Sequence, residues 1–417
     1  MRKWYRNRKG VSDNFRFEGR PAVSFFTLSD FYFMNCPEPS REARSSSVAL
    51  KNRIVARIES RSGWISFADY MQQVLYEPEY GYYSGGAANF GGQGDFVTAP
   101  ETSPLYGRAM AHALIPLIEQ TRPQILEIGA GTGRLAHDIL AELASKGISV
   151  DCYDILELSS ELRERQQTSL SACPHVNWLS ALPERFDGVV IANEVLDAMP
   201  VQLVVKRKTG WQELGVCHLN GDFVLSERPC DTFLADAITR QIPDSDSLPE
   251  GYVTEIHTHA CGFVRTLAEM LASGSGAAAV FVDYGFPAHE YYHRDRSSGT
   301  LMCHYRHRLH TDPFFLPGLQ DMTAHVDFTA LARIAEAGGL DLLCYASQAN
   351  FLIGAGLMEL MQGVSAEMDA RQYSLQSQAV QKLLSPAEMG ELFKVMILGH
   401  NVIPPAFMLD VDKSGRL

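Results

Sequence analysis

Two hydrophobic periods alternate along the chain. From about Leu50 to Tyr76 apolar residues recur at helical spacing (Ile54, Ile58, then Phe67, Tyr70, Met71, Val74 and Leu75), with a break near Gly63, which predicts two helices. Residues 76–107 lose this periodicity and are dense in Gly, Pro and aromatics; an irregular stretch of that length is more often functional than idle. A helix at 104–120 then leads to a short apolar strand at 125–128, a glycine-rich turn and an amphipathic helix. The alternation continues with a strand at 149–157, a helix at 159–171, and strands near 176–179 and 187–192. Strands alternating with helices predict right-handed crossovers and a doubly wound, mostly parallel sheet, an α/β fold.

Two interruptions break the rhythm. Residues 201–226 are β-rich runs parted by Lys208-Thr209-Gly210 and by Asn220-Gly221, which predicts an antiparallel meander. A helix at 263–272 and the apolar strand 277–285 resume the pattern before a polar, aromatic insertion over 286–326. A helix at 328–338, a strand at 340–346 and further helix and strand complete the chain. The expected organisation is therefore an extension and linker over 1–49, with 35–50 rich in Pro, Ser and charge, and a helical, lid-like front over 50–122. An α/β core over 123–285 carries the 201–226 insertion, and 286–417 supplies the second insertion and completes the sheet.

Composition narrows the function classes. The 417 residues are 46% hydrophobic and 20% charged with a net charge of −13, which argues against nucleic acid or an anionic membrane as the main partner. No run of about 18 apolar residues occurs, so no membrane span is expected. The first 20 residues run against the trend, with seven basic groups against Asp13 and Glu18. Charges interrupt any signal-type apolar stretch, and the crowding of Phe25, Phe26, Phe31, Tyr32 and Phe33 does not suit a transit peptide. The expectation is an unstructured extension, or a chain whose true start is Met34. Eight scattered cysteines without a Cys-x-x-Cys pair fit reduced thiols in a cytosol-like compartment.

The chemistry begins at Glu127-Ile-Gly129-Ala-Gly131-Thr-Gly133. Glycines directly after a strand let the backbone pass close to a ligand, and the following helix points free N–H groups at it. A dinucleotide fingerprint counted from Gly129 would put Arg134 in its third glycine slot, which disfavours a nicotinamide enzyme. The spacing present resembles the first motif of class I S-adenosylmethionine methyltransferases. In that fold the next strand ends on an acid for the ribose hydroxyls, here Glu157 with Asp154 as the alternate. The plainer alternative is a glycine-rich turn that merely packs helix on strand. A later strand runs into Asn193-Glu194-Val-Leu-Asp197. Ligands of doubly wound sheets bind outside the carboxyl ends of strands, so these polar residues suggest a substrate site; helix capping is the alternative for the two acids.

Over residues ~50–417 the chain resembles the MidA family of methyltransferases, through LYEPEYGYYS (75–84), GDFVTAPETSPLYG (94–107), ILEIGAGTG (125–133), YDILELSSELRERQ (153–166), ANEVLDAMP (192–200), FVDYG (281–285), TAHVDF (323–328) and MGELFKVM (389–396). The resemblance implies a Rossmann-like class I methyltransferase fold and S-adenosyl-L-methionine as cofactor. From a mitochondrial relative it also implies a protein substrate with an exposed arginine, a respiratory-complex subunit being one such partner. A cytoplasmic enzyme follows, or a matrix enzyme in a eukaryote. Glu127, Gly129, Gly131, Gly133, Glu157 and Asn193 would hold the donor, with Thr98 and Pro100 from a lid whose glycines 91, 92 and 94 permit bending. An arginine acceptor spreads its charge over three nitrogens, so one must be localised and aimed. Glu194 and Asp197 are the candidates for a bidentate clamp, and His325 either completes the acceptor pocket or is structural. Another amine or small molecule as acceptor, or a donor-binding assembly factor with little turnover, are the competing readings. The 201–226 meander could pair across a homodimer. His289-Glu290-Tyr-Tyr-His293 spells a zinc motif, but Pro287 upstream and the absence of helical periodicity argue against a metal.

Overall fold

The computed structural model describes residues 37–85, 98–365 and 369–417. The basic N-terminal segment, Met34, and the expected lid residues up to Val97 lie outside these. Helix α1 (Arg41–Ser60) starts inside the stretch expected to be a linker, and this corrects the sequence reading. Ser40 caps it, accepting from the Ala43 N–H at 3.1 Å, and the buried side is only Ser47, Leu50, Ile54 and Ile58. A polar helix with so narrow an apolar stripe is hidden in its own composition. Strand β1 (Ile65–Ser66) runs into α2 (Phe67–Tyr76), capped by Ser66; α3 (Ala99–Thr102) and α4 (Pro104–Ile118) follow.

The α/β core comprises β2 (Gln124–Ile128), α5 (Arg134–Ser145), β3 (Cys152–Leu156), α6 (Ser160–Ser169), β4 (Val176–Leu179) and β5 (Val189–Asn193). The first insertion contains β6 (Gln202–Arg207), β7 (Gly210–Leu219), β8 (Asp222–Pro229), α7 (Thr232–Gln241) and β9 (Val253–Ile256), before α8 (Thr258–Ala272) and β10 (Ala277–Phe286) rejoin the core. The second insertion carries α9 (Ala288–Tyr291), β11 (Met302–Tyr305), β12 (Arg308–His310) and β13 (Asp321–Thr323). Then come β14 (Val326–Asp327), α10 (Phe328–Ala337), β15 (Asp341–Ser347), α11 (Gln348–Gly354), α12 (Leu357–Ser365), α13 (Ala370–Leu384), β16 (Phe393–His400) and α14 (Ala406–Val411).

The central sheet has the order β4-β3-β2-β5-β10-β16-β15. All neighbours are parallel except that β16 runs against both β10 and β15. The chain winds outward from β2 in both directions, and the reversal lies between β2 and β5. That is where an open α/β sheet leaves a crevice at its carboxyl edge. Alternate residues of each strand feed opposite layers, as a period of two requires. Ile125, Val189, Ile191, Val280 and Val395 pack under α4 and α5, whereas Leu126, Val190, Ala279, Phe281 and Met396 pack under α8 and α10.

The expected meander at 201–226 is larger than its sequence signal. It runs to Pro229 and recruits β1 and β9 into a five-stranded antiparallel sheet, β1-β7-β6-β9 with β8 on β7. Leu203, Val205, Leu214 and Val216 face α1 and α2, while Val204 and Ile256 face α7. The front helices and the first insertion thus share one core. The second insertion forms a small sheet, β12-β11-β13, and returns to the centre through β14, which pairs in parallel with the end of β10. Gly285 permits that approach: a Cβ there would stand 2.1 Å from the Val326 carbonyl oxygen. Among the described residues no helix is long and apolar enough to cross a membrane, and the described cysteines are free thiols.

Gly285→Ala should therefore cost about 1–3 kcal/mol of stability, because backbone rather than a flexible side chain must give way. Denaturant unfolding measures this, and an unchanged midpoint would show that the β10–β14 contact is not tight.

Candidate active site

The carboxyl ends of β2, β3, β5 and β10 open into one cleft of about 1540 Å³. That exceeds the usual few hundred to 1,000 Å³ of a single small-ligand site, so the cleft has room for two reactants. Of the residues singled out by sequence, Glu127, Gly129, Gly131, Glu157, Asn193, Glu194, Asp197, Thr98, Pro100 and His325 all line it. Gly133 does not. It is buried, with a notional Cβ 3.1 Å from Ser169 Oγ and 3.3 Å from Leu170 Cδ1, and its φ of 82° starts α5. Asp154, the alternate ribose acid, turns away from the cleft to accept from Asn177 Nδ2 at 3.0 Å.

On the β2 side the loop is shaped by left-handed glycines. Gly129 and Gly131 have φ of 68° and 55°, and a Cβ on Gly131 would meet nothing within 4 Å, so the backbone is bare to a ligand there. Glu127, 2% exposed, accepts from Tyr153 Oη at 2.8 Å; burial raises its pKa to about 7 despite that bond. Glu157 accepts from the Ser159 N–H and from Gln166 Nε2, each at 3.0 Å. Glu157 lines the cleft, where an ionised carboxylate is an acceptor for hydroxyls. Gln166 is fully buried and joins the two loops: its amide also donates to the Gly131 carbonyl at 2.8 Å and accepts from Trp178 Nε1 at 3.0 Å.

The β5 side holds the acids. Glu194 sits at φ 55°, a left-handed position uncommon for a non-glycine residue, and its N–H is tied to the Val282 carbonyl at 2.8 Å. Its carboxylate accepts from Asn193 Nδ2 at 3.2 Å and the Ala99 N–H at 3.4 Å. Tyr106 Oη, at 2.6 Å from Asn193 Oδ1, fixes that amide. Glu194 is half-buried and opens to the cleft, and burial followed by the Asp197 charge lifts its pKa to about 8. Asp197, 5% exposed, is raised to about 6 by burial against a hydrogen bond from Tyr284. Behind them Asp283 accepts from the N–H groups of Leu196, Asp197 and Tyr284 at 2.9, 3.2 and 2.9 Å, which pins the loop. Among the described residues, no Lys or Arg is among the groups acting on Glu194 or Asp197.

Facing these acids is a wall from outside the α/β core. Tyr76 and Tyr83 stack with centroids 5.5 Å apart, and Asp321 of β13 accepts from Tyr83 Oη at 2.9 Å. His325 stacks on Phe286 at 5.1 Å and meets Tyr284 edge-on at 5.0 Å. Its Nδ1 is buried without a hydrogen-bond partner, and burial followed by the Arg296 charge lowers its pKa to about 3, so the ring is neutral. At the tempting zinc motif the helical turn ends at Tyr291, and Glu290 is paired with Arg416. Sequence reasoning passed over Tyr76, Tyr83, Tyr106, Gln166, Asp283, Tyr284 and Asp321, although all but Asp321 fall inside the stretches that carried the family resemblance.

A family model described as S-adenosyl-L-methionine-dependent methyltransferase matches residues 109–346, more than half of the chain. The mitochondrial protein arginine methyltransferase NDUFAF7 of Homo sapiens is 28% identical over 421 residues, covering 91% of this chain and 89% of the relative. Its Drosophila melanogaster homologue is 28% identical, covering 88% of each. A Burkholderia thailandensis protein solved with S-adenosyl-homocysteine is 48% identical, with a TM-score of 0.85 over 92% of this chain and all of that one. The glycine loop at the switch point, the second acid at the end of β3 and these likenesses converge: the chain belongs to the S-adenosyl-L-methionine-dependent methyltransferase family, as the motifs of the MidA family implied.

Proposed function

We propose that the chain methylates a nitrogen of a protein arginine, with Glu194 and Asp197 as the groups that bind and aim the guanidinium. The observation that carries this is a pair of acids in the cleft on which no Lys or Arg of the described residues acts. Carboxyls raised to about 8 and 6 wait, in effect, for a cation. The names of the curated relatives support arginine in particular.

The donor fits the opposite half. Gly131 presents bare backbone, and Glu157 offers a carboxylate acceptor to ribose hydroxyls. Glu127, Asn193, Thr98 and Pro100 complete the surround. Bound S-adenosylmethionine supplies an electrophilic methyl on a sulfonium: one N–C bond forms as the S–C bond breaks, and sulfur keeps the electron pair. Glu194 and Asp197 hold the guanidinium edge so that one nitrogen faces that methyl. The methylated nitrogen must also shed a proton, and the ionised Glu194 carboxylate beside it is the group that takes it. His325, neutral and ring-stacked, serves as a wall rather than as a proton carrier.

Incubating the purified enzyme with labelled donor and host lysate, then locating the label by mass spectrometry, tests the reading. Methylarginine in a protein is expected; label confined to lysine or to small molecules contradicts it. Glu194→Gln should slow transfer by about 10²–10³-fold while leaving the Kd for S-adenosylhomocysteine within about threefold. Gln166→Leu should do the reverse, weakening S-adenosylhomocysteine by about tenfold because three buried partners lose their bonds. Calorimetric titration separates the two. Both acids must be ionised to hold a cation, so kcat/KM on an arginine peptide should fall as pH drops through about 8 and again through about 6. A flat profile from about pH 6.5 to 9 would contradict the assignment.

A further inference from the structure

The acceptor side of the cleft is built by the front segment and the second insertion, and its parts are locked together by hydrogen bonds. Asp321 is 1% exposed on average yet lines the cleft, and its Oδ1 accepts from both Tyr83 Oη and the Met322 N–H at 2.9 Å. Tyr83 stacks on Tyr76 with an interplanar angle of 23°, and Tyr76 Oη donates to the Ala198 carbonyl at 3.0 Å, one residue past Asp197. From the other direction, the Ala324 N–H, three residues past Asp321, donates to the Asp197 carbonyl at 2.9 Å. Two independent links therefore bind the Asp321 strand and the tyrosine pair to the Asp197 loop. The phenols of Tyr76 and Tyr83 are held above their ordinary range, first by burial and then by the Asp321 charge, so both remain hydrogen-bond donors.

Such a slot has a chemistry. A guanidinium is a flat, delocalised cation with five donors spread around its edge, and it stacks on aromatic faces; an ammonium is a compact, strongly hydrated point charge with three donors. Several carboxylates lining one cleft beside a stacked pair of aromatic rings match the first shape better than the second. Resting on the arginine reading above, we infer that Asp321, positioned by Tyr83 and tied to the Asp197 loop beside the Tyr76–Tyr83 stack, completes a guanidinium slot and makes the enzyme select arginine over lysine as acceptor. Asp321 is then a specificity residue that touches the acceptor, and Tyr83 a positioning residue that acts through it.

Paired peptides differing only in a single Arg or Lys test this, with kcat and KM measured separately and the Kd for S-adenosylhomocysteine as a check on the donor half. The wild-type enzyme should favour the arginine peptide by at least about 100-fold. Asp321→Asn should lower kcat/KM for that peptide about 10- to 100-fold, chiefly through KM, and shrink the arginine-to-lysine ratio, with the S-adenosylhomocysteine Kd within about threefold. Tyr83→Phe keeps the ring but drops the hydroxyl that holds Asp321, and should raise KM about 3- to 10-fold. An Asp321→Asn enzyme with wild-type kcat/KM and an unchanged ratio overturns the slot. Should that variant lose S-adenosylhomocysteine binding through misfolding, Tyr83→Phe decides, and an unchanged KM overturns it. A wild-type enzyme that methylates no arginine peptide overturns the parent reading, which is a different result from a wild type that does so and is matched by Asp321→Asn.

Discussion

The acids at the carboxyl end of β5 line the cleft with no Lys or Arg of the described residues acting on them, and much of the surrounding structure follows from keeping them there. Ionised carboxylates in such a place are costly, so burial drives Glu194 and Asp197 toward protonation rather than leaving two bare charges. The protein holds the pair by polar backbone rather than by salt bridges. Asp283 accepts three N–H groups and fixes the loop; the left-handed turn at Glu194 is secured on Val282; Asn193, itself held by Tyr106, and the Ala99 N–H orient the carboxylate. A left-handed non-glycine residue at such a site is strain that its surroundings over-determine, as functional positions commonly show.

The sheet supplies the half of the cleft proposed for the donor, and the material added to it supplies the rest. Strand reversal between β2 and β5 opens the crevice, and Gln166 couples the glycine loop to the acid after β3 through one buried amide. The acceptor half depends on two pieces that would be loose alone. The front helices share a core with the five-stranded insertion, which brings Tyr76 and Tyr83 to the cleft. Glu255 of β9, fully buried, accepts from the N–H groups of Thr300 and Leu301 and from Tyr291 Oη, and so ties the first insertion to the second. Thr300 Oγ1 in turn accepts from the His325 N–H at 3.1 Å.

What the sequence made legible follows from range. The glycine loop, the second acid and the acids after β5 are encoded in a few consecutive residues at the ends of predictable strands, and they line the cleft. The exception is Gly133, whose spacing suggested ligand contact but whose place is a packing contact with α6. Helix α1 was hidden because only four of its twenty residues are buried, and the surrounding Pro, Ser and charge mimic a linker. Tyr83 and Asp321 are 238 positions apart, and no local pattern announces that they meet. His325 showed its place but not its state; its proximity to Phe286, Tyr284 and Arg296 is what keeps the ring neutral.

In the proposed reaction the raised carboxyls await a cationic acceptor. Calorimetric binding of an arginine peptide to the S-adenosylhomocysteine complex at pH 7, repeated in buffers of different ionisation enthalpy, reports protons exchanged on binding. A cation arriving beside Glu194 lowers a carboxyl pKa that stands at about 8, so release of about one proton per peptide is predicted. Binding whose heat is independent of the buffer would contradict the account.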